Sequence, residues 1–249
     1  MRISRLYFEN QLKLGENIHL PTYASHYLSH VLRLRIDDVI HLFNETDGEF
    51  LTRITLVKKG EVAVIVEKLI VGPPDAASQP KLAIHLGLGL SRGDRMDFAV
   101  QKSTELGASQ ITPLYTEHGE VRLKADRVEK KLQHWRKIAI SASEQSGRLD
   151  IPVINAPCTV DVWQQTLTAD LSLMLDPSGE GFLTDHSNKM PINQISLLIG
   201  PEGGFSEKEI AFARSHDFSV VNLGPRILRT ETAPVAALAI LQNLYGDMG

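Results

Sequence analysis

Cysteine is almost missing from this sequence: Cys158 is the only one in 249 residues. That excludes an intramolecular disulfide and any multi-cysteine zinc motif, and it suits a reducing compartment. Long hydrophobic runs are missing too, since none reaches the roughly 18 residues that a membrane span requires. The opening residues, Met1-Arg2-Ile3-Ser4-Arg5, lead into mixed polar sequence and not into the apolar core of an export signal. The expectation is a soluble, untargeted, cytoplasmic chain with no membrane contact. The sequence has no internal repeat or low-complexity tract and no GxxxxGK[ST] loop for a triphosphate. No HExxH frame surrounds His26 and His30, whose i,i+4 spacing alone does not make a metal site, so no metal is expected. Positive charge is not in excess either: a formal net charge of -4 argues against a wholly basic nucleic-acid coat.

What is present is an ample apolar inventory, 43% of the residues, enough to bury a sizeable core. Charge is unevenly spread. Residues 76–150 hold 12 Lys and Arg against 9 Asp and Glu, whereas 151–249 hold 5 against 11. Arg122, Lys124, Arg127, Lys130, Lys131, Arg136 and Lys137 make up much of the central excess. Two readings stand for them, a solvated helix face or contact with phosphates.

Patterning divides the chain into two parts. Near the N-terminus Tyr27, Leu28, Val31 and Leu32 recur at helical spacing. Segments 36–43, 49–57 and 61–71 alternate as half-buried strands, with turns at Asp47-Gly48 and Lys58-Lys59-Gly60. Residues 1–72 therefore read as a small β-barrel. The stretch Gly72-Pro73-Pro74-Asp75-Ala76-Ala77-Ser78-Gln79-Pro80 is dense in breakers, which makes 73–80 a linker. From 81 to 249 strands and helices alternate. Strands are expected at 81–90, 110–115, 171–175, 195–199 and 219–223, and helices at 94–106 with Asp94 as cap, at 127–145 and at 233–245. Apolar strands separated by helices predict an α/β domain with a parallel sheet covered on both faces. The last helix is apolar on most sides, so either its own core or a second subunit covers it.

Gly87, Gly89 and Gly93 approach a dinucleotide fingerprint, but the third glycine falls one residue late and no acidic residue follows at the required distance. Tight strand-to-helix packing is the better reading, with Arg92 and Arg95 beside it as candidates for phosphate contact. The informative stretch is 197–209, Leu-Leu-Ile-Gly-Pro-Glu-Gly-Gly-Phe-Ser-Glu-Lys-Glu. It reads as a buried strand, a glycine-rich loop and a helix opened by the capping box Ser206/Glu209. Three glycines in five residues let backbone approach a ligand closely, and a flat, uncharged base such as adenine suits such a loop. A second loop, 223–234, again joins a strand end to a helix start. Arg226, Arg229 and Glu231 there form either a structural ion pair or reacting groups. Both loops, with the one after Leu175, fall beyond the carboxyl ends of parallel strands, where ligands collect.

The segments IGPEGGFSEKEI (199–210) and LGPRILRTETAPVAAL (223–238) resemble the two signature loops of the SPOUT methyltransferases, specifically the 16S ribosomal RNA uridine-N3 methyltransferase (RsmE) family. SRGDRMDFAVQKSTELGASQITPL (91–114) and WRKIAISASEQSGR (135–148) extend the resemblance over essentially the whole chain. It implies an N-terminal PUA-like RNA-binding barrel and a C-terminal SPOUT domain whose last strands and helix form a deep trefoil knot. Such topology would not follow from periodicity, because threaded chains are rare. The resemblance further implies an obligate homodimer, S-adenosyl-L-methionine held bent by the knot loops, and 16S rRNA of the small ribosomal subunit as partner.

The cofactor residues so assigned are Leu175, Leu198, Gly200, Glu202, Gly203, Leu223, Gly224 and Leu228. Arg229, assisted by Arg226, is expected to stabilise charge developing on the uracil oxygens, and Glu202 or Glu231 to accept the N3 proton. RNA contact is expected from Arg2, Arg5, Arg33, Arg35, Arg92, Lys102, Lys124 and Arg148. The rival readings are a related knotted methyltransferase acting on ribose or transfer RNA, and a non-catalytic RNA-binding ribosome-assembly factor.

Overall fold

A computed structural model of the chain describes residues 3–73, 82–186 and 191–249. Arg2 and residues 74–80 of the expected linker lie outside them. Contacts divide the chain into two compact units, Met1–Gln79 with Ser143–Asp150, and Pro80–Ala142 with Ile151–Gly249.

The first unit contains β1 (Arg5–Tyr7), β2 (Asn17–His19), α1 (Thr22–His26), β3 (Val39–Asn44), β4 (Gly48–Lys58) and β5 (Glu61–Val71). Its strands lie in the order β1-β3-β4-β5-β2. Gly48, at φ +97, is needed at the β3–β4 turn, since a Cβ there would stand 2.3 Å from the Val71 carbonyl oxygen. Leu28, Ile40, Leu42, Ile54, Val62, Val64 and Val66 form the core. The helix expected through Tyr27 and Leu32 widens at Tyr27–Val31 into a π turn, in which the Leu32 N–H donates to the Tyr27 carbonyl at 3.0 Å. The Ser29 hydroxyl donates back to the Ser25 carbonyl at 2.6 Å, the kind of back-bond that bends a helix.

One ion cluster is embedded in this unit. Arg5 donates from Nε and Nη2 to Glu49 at 3.0 and 2.8 Å, and His41 Nδ1 lies 2.5 Å from the other Glu49 oxygen. The remaining Arg5 donors reach the carbonyls of Ser143 at 2.9 Å, Glu144 at 3.2 Å and Arg148 at 3.1 Å. Its guanidinium also lies 4.2 Å from the centre of the Phe43 ring. Burial alone would raise the Glu49 pKa, but the hydrogen bonds and charges of Arg5 and His41 outweigh it and hold the carboxyl below its usual range.

The second unit adds β6 (Ala83–Gly89), α2 (Gly93–Glu105), β7 (Ala108–Tyr115), α3 (Ala125–Ser146), β8 (Val153–Ile154), β9 (Cys158–Thr159), α4 (Val160–Gln164) and β10 (Leu171–Leu175). It ends with β11 (Gly181–Phe182), β12 (Gln194–Ile199), α5 (Glu207–Ser215), β13 (Ser219–Asn222) and α6 (Thr232–Tyr245). The strand order is β11-β13-β10-β12-β6-β7-β8 with β9 beside β7, and every pairing is parallel. Alternation along β12 explains its unbroken apolar run: Ile195, Leu197 and Ile199 enter one core cluster and Leu198 the other. On α3, Trp135, Ala139 and Ala142 turn inward, and on α6 so do Ala237, Leu238 and Leu241. The α6 core side is therefore covered by its own unit.

Arg92, not Asp94, occupies the N-cap of α2, and Asp94 lies in the first turn, where a carboxylate favours the helix dipole. The glycines near it serve packing. A Cβ at Gly87 would meet the Trp163 ring at 2.7 Å, and one at Gly89 the Pro201 nitrogen at 2.4 Å. The Trp163 indole N–H donates to His85 Nε2 at 2.9 Å, and burial pushes the His85 imidazole down to about 4, so it stays a neutral acceptor.

Replacing Glu49 by Gln leaves the engaged, largely buried Arg5 without its counter-charge, and should destabilise the chain by about 3 kcal/mol. The depressed folded pKa means that Glu49 contributes stability fully above the ordinary glutamate range and loses it as pH falls through the lower folded value. Urea midpoints measured against pH should therefore drop in acid for the parent chain and more shallowly for Glu49→Gln.

Candidate functional site

Three chain segments meet at the carboxyl ends of β10, β12 and β13 and enclose a cavity of about 870 Å³. Each owes its course to local chemistry. After Ile199 the backbone runs through Gly200–Phe205 and enters α5 by a complete capping box, with Glu209 N–H donating to Ser206 Oγ at 3.2 Å and Ser206 N–H to Glu209 Oε2 at 2.9 Å. Gly203 lies against the turn after β7. A Cβ there would come within 2.9 Å of His118 Cβ and its carbonyl oxygen, and His118 Nδ1 stands 3.1 Å from the Gly203 carbonyl. Gly204 and Gly224 take φ values of +70 and +93, conformations that a side chain would strain.

The segments after β10 and β13 are tied together by Asn222. Its Nδ2 donates to the Gly179 carbonyl at 2.7 Å, and its Oδ1 accepts the Gly224 N–H at 2.9 Å. Buried Asp176 closes its own turn by accepting from Ser178 N–H at 2.9 Å and Ser178 Oγ at 2.6 Å. An Asp at a strand end before Pro-Ser-Gly is a legible turn signal. Asn222, inside a strand, carries none.

Among the residues assigned from sequence, Leu175, Gly200, Glu202, Gly203, Leu223, Gly224, Arg226, Leu228, Arg229 and Glu231 all line the cavity. Leu198 does not. Its side chain is fully buried on the opposite face of the sheet, and its backbone lies in register between Met174 and Gly87. The expectation for Leu198 is a backbone contact, and it is its neighbour Ile199 that lines the cavity. Arg95, Phe182 and Ile227 also line the cavity and were missing from the assigned set.

Charge at the mouth is arranged unequally. Glu202 is held by Arg95, Oε1 to Nη1 at 2.7 Å. Arg229 Nη1 stands 4.0 Å from Glu231 Oε1, and its side chain is 80% exposed. A pair so long, with the arginine so exposed, contributes little to rigidity. The second Glu231 oxygen is buried with no hydrogen-bond partner among the described residues. Such a group costs free energy until something donates to it.

The expected RNA contacts divide. Arg33, Arg35, Arg92 and Lys124 are exposed, with Arg92 at 2.6 Å from Glu120 in an open pair that phosphate could displace. Lys102 is partly buried against Glu105 at 2.8 Å. Arg5 and Arg148 differ from these: both side chains are only 13% exposed and engaged internally, Arg5 with Glu49 and three carbonyls, Arg148 with Asp150. Arg2 lies outside the described residues. Among the described residues no group of three or more His, Cys, Asp or Glu is placed to hold a metal ion, and no helix is long and apolar enough to cross a membrane.

Comparison with known proteins places this geometry. Residues 78–242 match the family model of the RNA methyltransferase domain, and residues 24–67 match that of the RNA methyltransferase PUA domain. The chain is 36% identical over 247 residues to the ribosomal RNA small subunit methyltransferase E of Buchnera aphidicola subsp. Acyrthosiphon pisum, covering 99% of this chain and 95% of that one. It is similar in structure to a Legionella pneumophila protein described as a methyltransferase and solved with the cofactor SAM. The TM-score is 0.91 at 35% identity, over 99% of this chain and 100% of that one. A ribosomal RNA small subunit methyltransferase E from Neisseria gonorrhoeae, bound to S-adenosyl methionine, matches with TM-score 0.88 and 34% identity over 100% of both chains.

Gly89 supports the glycine-rich loop from below. Gly89→Ala should displace Pro201 and lower stability by roughly 1–3 kcal/mol, measured as a fall in the urea midpoint, while an unchanged midpoint would mean that the loop has room to give.

Proposed function

The chain belongs to the RNA methyltransferase family, and from that premise we propose that it methylates N3 of a uridine in the 16S RNA of the small ribosomal subunit, using S-adenosyl-L-methionine. The observation that carries this reading is the cavity beyond β10, β12 and β13, lined by the glycine-rich loop after β12 together with the segments after β10 and β13.

The residues present fit the cofactor. The cavity is in the range of small-ligand sites, Leu175, Ile199, Leu223 and Leu228 supply apolar surface, and Gly200, Glu202, Gly203 and Gly224 bring backbone to its edge. We assign those residues to holding it. When bound, S-adenosylmethionine supplies an electrophilic methyl group on a sulfonium sulfur.

The remaining work falls to the chain. N3 of uridine is a weak acid, and its negative charge spreads to the two flanking carbonyl oxygens as the proton leaves. Arg229, exposed and only loosely paired, is assigned to those oxygens with Arg226 assisting, an electrostatic role of the oxyanion kind. Glu231 is assigned as proton acceptor because one of its oxygens has no partner, which an incoming N–H would satisfy. Glu202, engaged by Arg95, is the weaker candidate. The proposal includes a homodimer with the RNA site built from both copies, a cytoplasmic location consistent with the lone Cys158, and residues 1–72 as the RNA-binding part, joined by 73–80 to the domain at 81–249. It includes the trefoil knot. The connection from β10 to β12 reaches β11, beyond β13, before returning, and that order accords with threading of the segment leading to α6.

Gly200→Val should weaken S-adenosylmethionine binding about 10- to 100-fold in calorimetry, and undiminished affinity would refute the placement. Arg229→Ala should bind the cofactor normally and lose roughly 100-fold or more in kcat. An undiminished rate would remove Arg229 from the reaction. Small subunits lacking the modification, incubated with chain and cofactor and then mapped, should carry N3-methyluridine. A ribose-methyl or transfer-RNA product would favour a related knotted enzyme, and RNA binding without methyl transfer an assembly factor.

A further inference from the structure

The outer face of α1 and of the π turn that continues it is covered with rings. Tyr23 is 68% exposed, Tyr27 42% and the adjoining Val31 60%, and His26 and His30 are exposed alongside them. Ala24, Ser25 and Leu28 take the buried side. Positions 23, 26, 27 and 30 follow helical spacing along one stripe, and the imidazoles of His26 and His30 stack with centroids 4.6 Å apart and planes 8° from parallel. The outward face of a surface helix is ordinarily charged or polar. This one presents four flat rings.

Charge along the stripe runs from negative at the Tyr23 end to positive at Arg33 and Arg35. No Asp or Glu occurs between Glu16 and Asp37, and the π turn leads to exposed Arg33 and Arg35, with Arg33 in the left-handed region at φ 55. At the other end, the Tyr23 phenol is pushed above its ordinary pKa by burial first and then by the nearby Glu144 and Glu9 carboxylates, so it remains a neutral donor. A polyanion is repelled from that end and drawn toward the arginines. Rings with polar edges beside cations are the composition of a single-strand binding surface, where bases stack on aromatic faces and the backbone meets positive charge.

We infer that Tyr23, His26, Tyr27 and His30 form a stacking platform for unpaired bases of the RNA substrate, with Arg33 and Arg35 on the phosphates beside them. The inference rests on the RNA-substrate reading above, and is independent of the target atom and of the cofactor loops.

The test uses the full chain and a short, fluorescein-labelled single-stranded RNA of mixed sequence, followed by anisotropy over a range of salt. Tyr23→Ala combined with Tyr27→Ala should weaken binding at least about 10-fold, because a stacked base contributes on the order of 1–3 kcal/mol, and should leave the salt slope unchanged. Tyr23→Phe with Tyr27→Phe keeps both rings and should retain affinity, which separates stacking from misfolding. Arg33→Gln with Arg35→Gln should reduce the salt slope by about one to two. S-adenosylmethionine affinity should be the same in every variant. If the parent chain binds and methylates RNA and the alanine pair binds as tightly, the platform is wrong while the enzymatic reading stands. If the alanine pair keeps RNA affinity but sediments with altered mass, the face is a subunit contact and the inference is overturned. If the parent chain neither binds nor methylates RNA, both readings fail.

Discussion

The site exists because backbone can touch backbone where β6, β7 and β12 end. Gly89 admits Pro201, and Gly203 admits the His118 turn, each at a distance that no Cβ could occupy. These contacts hold the loop after β12 open toward the loops after β10 and β13, and Asn222 ties those two to each other. The cavity between them follows from this arrangement. A parallel sheet covered on both faces supplies the rigid floor, since its strand ends all point the same way and its apolar strands have no wet side.

Charge acquires its role from the environment in which the fold leaves it. Arg5 and Arg148 have the composition of RNA contacts, yet the fold engages them, Arg5 as the counter-charge of a buried carboxylate and a donor to three carbonyls. Arg229 is the opposite case, a guanidinium at a cavity mouth with one distant partner. The two carboxylates at the mouth differ in the same way. Glu202 is answered by Arg95, and one oxygen of Glu231 is answered by nothing among the described residues. A buried polar atom without a partner calls for an explanation, and at the mouth of a cavity an incoming donor supplies one.

Much of this was legible in the residues. Unbroken apolar strands separated by amphipathic helices give the parallel sheet, the Ser206/Glu209 box and three close glycines give the loop before α5, and strand ends give the cleft. Which of two successive residues borders a cavity is not legible where both faces of a strand are apolar, as at Leu198 and Ile199, of which Ile199 lines the cavity. Nor could spacing reveal that Gly87 and Gly89 accommodate Trp163 and Pro201, because those contacts join positions far apart in the chain. The π turn at Tyr27–Val31 escaped for a different reason, since one inserted residue leaves the apolar spacing nearly unaltered over so short a helix.

The central claim is that the turns after β10, β12 and β13 together embrace a methyl donor. A crystal structure of the chain grown with S-adenosylmethionine tests it most directly. The account predicts density for the adenosyl group between the segments 199–205 and 222–228, in contact with the backbones of Gly200 and Leu228. Density bound elsewhere, with those turns apart and the cavity filled by solvent, would contradict it.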